Sequence, residues 1–194
     1  MKKAILIVLI MLCSSHSIMA QKKKISKNAP VSSALAKSEN VTVEMINKNL
    51  TVIRANSGVK KDSVMLKIFA ENSKPIAVKI TPFTAKGKKL FLISWSENVV
   101  TTTKLKTEDA IIIFSEIVNF ETKSKVLSNT QTTVNITEMH YLDSKQTVSE
   151  TVQKVRREGS ELVLNPDGDV SLKNKTRENK LTFNVDKNLF LAKK

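Results

Sequence analysis

Histidine is the side chain most often used as a general base near neutral pH, and this chain of 194 residues has two, His16 and His140. His140 lies in a strand-like run beside Tyr141. A Ser-His-Asp hydrolase would also need a nucleophile held at a sharp turn, and the chain contains no Gly-Xaa-Ser-Xaa-Gly sequence of that kind. We therefore expect His140 to be a structural or surface histidine, and the sequence predicts no catalytic residue.

The sequence also has few residues that could bind a metal ion or a cofactor. One cysteine, Cys13, and two histidines cannot complete the nitrogen and sulfur ligand sets of zinc sites. Residues 165–169 offer three oxygen side chains at alternate positions, but Val170 and Thr176 stand where calcium loops carry glycine and glutamate. A hairpin turn is the better interpretation of this segment. Since the glycines are isolated, no phosphate loop is predicted, and we expect no metal-binding or cofactor-binding residue.

Paired carboxylates, as used in glycoside hydrolysis, are harder to judge, because two acids that are distant along a chain can meet in space. Carboxylates are scarce, with 18 Asp and Glu residues against 32 Lys and Arg. Most of them fall on the polar side of alternating segments, which favours solvated roles. The sequence therefore predicts that the protein is not an enzyme, with an exported carboxylate-based hydrolase as an alternative.

The first 20 residues have the three zones of a signal peptide: a basic start, the apolar run 4–13, and a small residue, Ala20, at the expected cleavage point. The apolar run is about half of the roughly 20 residues that a membrane-spanning helix needs. Lipid attachment at Cys13 is disfavoured, because Leu12 precedes it where lipoproteins carry a small residue. We expect cleavage near Ala20, which would also remove the only cysteine, and an exported protein that is periplasmic, secreted or held at the cell surface.

The charge of the chain suggests an anionic partner. The full chain has a net charge of +14; loss of Lys2 and Lys3 would leave 30 basic against 18 acidic residues, or +12. Such a charge favours contact with anionic polymers or headgroups. The four arginines are few for phosphate or base recognition. We expect an envelope protein or an anionic glycan as the partner, no nucleic acid, and no transmembrane span after signal cleavage.

Composition divides the remaining chain into a leader and a domain. Residues 21–38 are rich in Lys, Ser and Ala with little periodicity, and predict a flexible basic leader. Residues 39–194 form a single predicted domain in which apolar and polar residues alternate, as in half-buried strands. The alternating or strand-like segments are 41–45, 63–70, 76–81, 91–95, 132–142, 147–156, 161–165, 170–173, 181–185 and 188–191.

Several segments allow finer predictions. The turn residues 72–75 predict a short antiparallel connection between the strands before and after them. Phe91, Ile93 and Trp95 share one parity, so all three can point into one core. Residues 107–120 fit either a helix or a strand, and their three consecutive isoleucines favour a strand.

Short strands with turn residues between them predict an all-β protein, an antiparallel β-sandwich. Trp95 on a middle strand is compatible with an immunoglobulin-like architecture, although the usual cysteine pair is missing. We expect an exported, non-catalytic β-sandwich protein that binds or scaffolds cell-envelope or surface partners. A surface-fibre or assembly subunit is a second alternative to set beside the hydrolase.

Overall fold

The computed structural model describes residues 33–55, 61–71 and 73–193. The predicted signal peptide, 1–20, and most of the predicted leader lie outside the described residues. Strands are the only regular elements in the described ranges, and no helix there is long and apolar enough to cross a membrane. The strands are β1 (Ser33–Ser38), β2 (Val41–Ile46), β3 (Asn49–Ala55), β4 (Lys61–Ile68), β5 (Ile76–Ala85), β6 (Lys88–Thr102), β7 (Lys106–Asn119), β8 (Ser124–Tyr141), β9 (Ser149–Gly159), β10 (Glu161–Leu164), β11 (Val170–Lys173), β12 (Glu178–Asn184) and β13 (Leu189–Ala192).

The strands form three antiparallel sheets, each built from consecutive strands. Sheet A contains β1–β4, sheet B contains β5–β9, and sheet C contains β10–β13. Within each sheet the order in space is the order in sequence, so each sheet is a meander. The prediction of an all-β, antiparallel protein is confirmed, and the stacked sheets are consistent with a β-sandwich.

Two of the hairpins have turns that suit the twist of their strands. Asn47 and Lys48, between β2 and β3, have φ values of 47° and 68°. Lys86 and Gly87, between β5 and β6, have φ values of 50° and 77°. Two consecutive residues with positive φ are typical of the type I′ turn, which fixes the register of a two-residue hairpin.

One hydrophobic core lies between sheets A and B. Phe91, Ile93 and Trp95 of β6 are buried there, as their shared parity predicts. Val43 and Val52 from β2 and β3 are fully buried against the same side of sheet B. This core uses the odd-numbered residues of β6.

A second core lies on the opposite side of sheet B. Leu90 and Leu92 alternate with the residues of the first core along β6, so they point the other way. Val170 and Phe183 of sheet C complete this second core. Sheet B is therefore the middle layer, and the continuous apolar run 90–93 is typical of a strand covered on both faces.

The predicted connection at 72–75 is wrong. β4 ends in sheet A and β5 begins sheet B, so the segment links two layers instead of joining paired strands. Turn residues indicate a change of direction, but they cannot show whether the next strand returns to the same sheet. The connection at 143–146 does join paired strands, as predicted, and so does the turn at 166–169.

Two other predictions concern strand identity. The segment 107–120 is strand β7 over nearly its whole length, which confirms the strand interpretation. β1 lies inside the range 21–38 that composition assigned to the leader, and it pairs with β2. Its sequence, SALAKS, is poor in β-branched residues, so propensity gives little indication of a strand.

The middle sheet continues past both cores. Residues 96–102, 106–113, 131–141 and 149–159 of β6–β9 form a four-stranded part of sheet B that we call the extension. The described residues of the two cores include none from these ranges. At about 3.4 Å per residue, β6 runs roughly 24 Å from Trp95 to its end. Among the described residues, both faces of the extension therefore lie outside the two cores.

Candidate binding surfaces of the extension

One side of the extension carries almost no charge, and we call it the neutral face. It consists of the even-numbered residues of β6 and the odd-numbered residues of β7, β8 and β9 within the extension. Most are threonine, serine, asparagine, glutamine or aliphatic residues. Among the described residues of this face, Asp109 and Arg157 bear the formal charges. Opposite signs leave the face neutral overall.

Four aliphatic side chains of the neutral face are open to solvent: Val100, Ile111, Ile113 and Val155, with exposed fractions between 41% and 59%. Ile111 pairs directly with Asn98, and Val100 is two residues further along β6 on the same face. Val100 and Ile111 are therefore diagonal cross-strand neighbours. Such neighbours are about 7–8 Å apart, which places their side chains within one patch. Exposed apolar groups collected on a regular sheet indicate a contact surface rather than scattered surface residues.

Asp109 lies in the middle of this patch, between Val100 on β6 and Asn135 on β8. Its Oδ1 atom is inaccessible to solvent and has no hydrogen-bond partner among the described residues. A carboxylate oxygen without a donor is costly, because it has lost water and gained nothing in exchange.

A groove borders the neutral face where sheet C approaches it. Val155, Arg157 and Gly159 of β9 form one wall, and residues 174–176 of the β11–β12 turn form the other. The groove has a volume of about 720 Å³, within the range of ligand-binding clefts. The described contacts include no ion pair of Arg157 or of Lys175, so both cations are available to a ligand.

Both walls of the groove are held in place by local structure. The Oδ1 atom of Asn174 accepts hydrogen bonds from the backbone N–H groups of Thr176 and Arg177, at 3.0 and 2.8 Å. Gly159 has φ of +77°, and a Cβ atom there would lie 2.2 Å from the carbonyl oxygen of Thr130. The turn and the end of β9 therefore keep defined positions.

The other side of the extension, the charged face, contains a chain of ion pairs. The Nζ atom of Lys106 lies 2.7 Å from Glu108 and 3.4 Å from Glu138, and Lys154 lies 3.1 Å from Glu138. Arg156 lies 3.7 Å from Glu108 and contacts its neighbour Glu158 at 2.9 Å. These charges neutralise one another.

The ion pairs also lower the pKa values of two carboxyl groups on this face. Hydrogen bonds from Lys154 and Lys106 hold the pKa of Glu138 below its usual range. The hydrogen bond from Lys106 does the same to the pKa of Glu108. Beneath these side chains Val134 and Ile136 are buried, so the charged face covers its own apolar residues.

His140 lies at the edge of the charged face and is exposed. Its Nε2 atom is 3.4 Å from Oε2 of Glu138. No described contact brings a hydroxyl nucleophile to its ring, which accords with the surface role expected from the sequence.

Sheet C has a cavity of about 610 Å³ that is lined by both carboxylates and lysines and includes Asp167 and Asp169 of the predicted hairpin turn. Asp169 accepts a hydrogen bond from Thr182 at 2.5 Å, and Lys193 lies 3.2 Å from it. These contacts lower the pKa of Asp169, the Thr182 hydroxyl being the larger cause. The Ser171 hydroxyl similarly lowers the pKa of Glu178. These directions are opposite to what a general acid requires at neutral pH.

The described ranges contain no group of three or more His, Cys, Asp and Glu residues that could hold a metal ion. Comparison with known protein families, with curated proteins and with solved structures finds no match. The candidate surfaces therefore rest on the residues of this chain alone. Sequence analysis missed the neutral face, although one signal was present: three consecutive isoleucines in a strand place apolar side chains on both of its sides.

Proposed function

We propose that this protein is an exported, non-catalytic β-protein that binds a protein partner of the cell envelope through the neutral face. The observation that carries the proposal is the exposed set Val100, Ile111, Ile113 and Val155 on the extension, which contributes to neither core among the described residues. Export itself rests on the signal-like first 20 residues. The immunoglobulin-like arrangement expected from the sequence is not part of the proposal, because meander sheets lack the Greek-key connections of that class.

The two faces of the extension differ in what they offer a partner. The charged face has its cations and anions already paired, and such exposed pairs add little net attraction. The neutral face exposes aliphatic groups among uncharged polar ones, a composition typical of the centre of a protein interface with depleted charge. Burial of the aliphatic groups would supply the affinity.

Two adjacent residues provide a matched test. Val99 and Val100 follow each other on β6, both are exposed, and they point to opposite faces. The exported protein is immobilised and exposed to envelope proteins freed of lipid. We expect saturable capture of a component that Val100→Lys together with Val155→Lys weakens at least tenfold and that Val99→Lys leaves unchanged. Equal loss in all variants, or no saturable capture, would refute the proposal.

An anionic glycan is a second candidate partner, favoured by the groove beside the neutral face. Arg157 and Lys175 stand on opposite walls without ion-pair partners in the described structure. Arginine is suited to bidentate capture of carboxylate or sulfate groups. Binding of an acidic polysaccharide that Arg157→Gln weakens, while Arg156→Gln on the charged face does not, would support this candidate.

The other two alternatives are less well supported. β9 is the outer strand of sheet B, so its free edge could pair with a neighbour in a fibre. However, β9 bears charges of both signs along its length, a feature that discourages edge-to-edge pairing. A hydrolase would need an acid held protonated beside a second carboxylate, and the lowered pKa values of Asp169 and Glu178 point away from that role.

A further inference from the structure

The far end of the extension consists of two neighbouring loops. Residues 103–105 connect β6 to β7, and residues 142–148 connect β8 to β9. The backbone N–H of Met139 donates to the carbonyl oxygen of Leu105 at 2.8 Å, which joins the first loop to the strand that leads into the second. We call these two loops the tip.

The tip is apolar where loops are ordinarily polar. Leu142 is 60% exposed, Val148 53% and Leu105 40%. Connecting loops run through solvent and usually present polar groups, so three open aliphatic side chains at one end of a sheet are costly to leave in water. A surface that removes them from water would gain that free energy.

The second loop is ordered by one side chain. The Oδ1 atom of Asp143 accepts hydrogen bonds from the backbone N–H groups of Thr147 and Val148, at 2.8 and 2.9 Å, and its Oδ2 atom accepts one from the Thr147 hydroxyl at 2.5 Å. Leu142 and Val148 are also joined by a backbone hydrogen bond of 2.9 Å. The two apolar side chains are thus held next to each other and outward.

Unpaired cations stand beside the apolar groups. Lys104 lies in the first loop and Lys145 in the second, and the described contacts give neither an ion pair. Asp143 is the acid of these loops, and its oxygens are occupied within the turn. A shallow cavity of about 140 Å³ adjoins Leu105 and Met139, lined by lysine and threonine side chains that can donate to phosphate oxygens.

We propose that the tip binds an anionic lipid surface, with Leu105 and Leu142 entering the boundary between headgroups and acyl chains and Lys104 and Lys145 contacting phosphates. Apolar groups ringed by lysine are the combination that binds an anionic bilayer, because lysine stems extend along the apolar layer while the ammonium groups stay at the phosphates. The net charge, +14 for the full chain and +12 after the expected signal cleavage (30 basic against 18 acidic residues), adds a long-range attraction toward such a surface. The exposed aliphatic set of the neutral face, Val100, Ile111, Ile113 and Val155, lies along the extension rather than in the tip loops, so a protein could be held there at the same time.

The test is sedimentation of the exported protein with vesicles of phosphatidylglycerol and phosphatidylcholine in equal parts. We expect binding that weakens with salt and is absent on phosphatidylcholine alone. Leu105→Ser with Leu142→Ser should lower the affinity at least tenfold, which is about 1.4 kcal/mol. Ile111→Ser with Val155→Ser, the same change on the neutral face, should leave it unchanged. Since all four side chains are exposed, both variants are expected to fold, and their thermal unfolding checks this.

A second variant places a reporter at the tip. Leu142→Trp adds a fluorophore to a chain whose own tryptophan, Trp95, is buried. Its emission should shift to the blue on contact with anionic vesicles. Vesicle binding without this shift, or binding that the tip variants keep, would overturn the proposal.

Two further outcomes identify other occupants. Self-association without lipid that the Leu105→Ser, Leu142→Ser variant abolishes would assign the tip to a second copy of the chain and refute the lipid assignment. If an envelope protein were captured by the Val100→Lys variant but not by the tip variant, the tip would be assigned to a protein partner and the lipid assignment would again be refuted. Failure of vesicle binding leaves the Val99 and Val100 test of the neutral face unaffected, so the two proposals fail separately.

Discussion

The Nζ atom of Lys67 lies 2.6 Å from the Oε1 atom of Glu97, a contact that joins sheet A to the root of the extension. The same carboxylate oxygen accepts a hydrogen bond from Nε1 of Trp95 at 3.1 Å. The ammonium group of Lys67 also lies 3.9 Å from the centroid of the Phe114 ring, which stacks on Trp95. Glu97 is buried, and Lys67 and Trp95 are the described hydrogen-bond donors to its carboxylate.

Loss of Lys67 should therefore destabilise the fold. Lys67→Met leaves a buried carboxylate with Trp95 as its remaining donor, and we expect the free energy of unfolding to fall by about 2 kcal/mol. Chemical denaturation measures this value. The control is Lys48→Met, whose partner Glu71 is well exposed, and there the change should stay within about 0.5 kcal/mol. If Lys67→Met and Glu97→Gln proved additive in the double variant, the proposed coupling between them would be absent.

Gly168 should tolerate no side chain. It lies in the β10–β11 turn with φ of +83°, and a Cβ atom there would be 2.2 Å from the carbonyl oxygen of Thr84 and 2.9 Å from Cα of Ala85. Gly168→Ala must therefore separate sheet C from β5, and we expect a loss of about 3 kcal/mol or more in denaturant unfolding.

Gly87 is the matched control for this substitution. It has a similar φ of +77°, but nothing lies within 4 Å of the place its Cβ would take. Gly87→Ala should cost about 1 kcal/mol, the price of the left-handed conformation alone. Equal losses at the two glycines would mean that contact between the turn and β5 does not limit stability.

The strands were easier to predict than their arrangement. Alternation identified the segments that became β2, β4 and β5, because one buried side favours a period of two. It could not show that sheet B has a core on both sides. The run of four apolar residues at 90–93 was the available signal. In a strand covered on both faces, neither the odd-numbered nor the even-numbered residues need be polar.

The candidate surfaces were less predictable for a related reason. Whether Ile111 or Ile112 is exposed depends on which side of β7 lies beyond the cores, and this follows from where sheets A and C end. The tip had a weaker signal: Leu105, Leu142 and Val148 are apolar residues in segments otherwise composed of polar and charged residues. Isolated apolar loop residues are common, so their meaning depends on the sheet that places them together.

Glu138 should make the fold acid-sensitive. Hydrogen bonds from Lys154 and then Lys106 lower its pKa from the ordinary 4.5. A lowered pKa contributes stability that is present above the unfolded value and is lost as pH falls through the folded value. The Glu138→Gln variant should therefore have a lower free energy of unfolding than the wild type at pH 7. This gap in stability should close on acidification. Unfolding measured across this pH range tests it. Because the pairs are exposed, high salt should also narrow the gap, and a gap that neither acid nor salt changes would contradict the assignment.

Glu116 should have the opposite dependence on pH. Burial raises its pKa above the ordinary 4.5, although the Ser128 hydroxyl donates to it at 2.5 Å and Lys125 lies 3.8 Å away. When the folded pKa is the higher one, the unfolded chain releases its proton first as pH rises, so stability falls between the unfolded and the folded pKa and stays reduced above both. Glu116→Gln keeps an acceptor for Ser128 and removes the titration. The free energy of unfolding of the variant minus that of the wild type should therefore be larger at pH 7 than at pH 4. Denaturant unfolding of both proteins at both pH values measures this difference. A difference that is independent of pH, or one that grows toward acid, would show that burial does not control the ionisation of this carboxyl group.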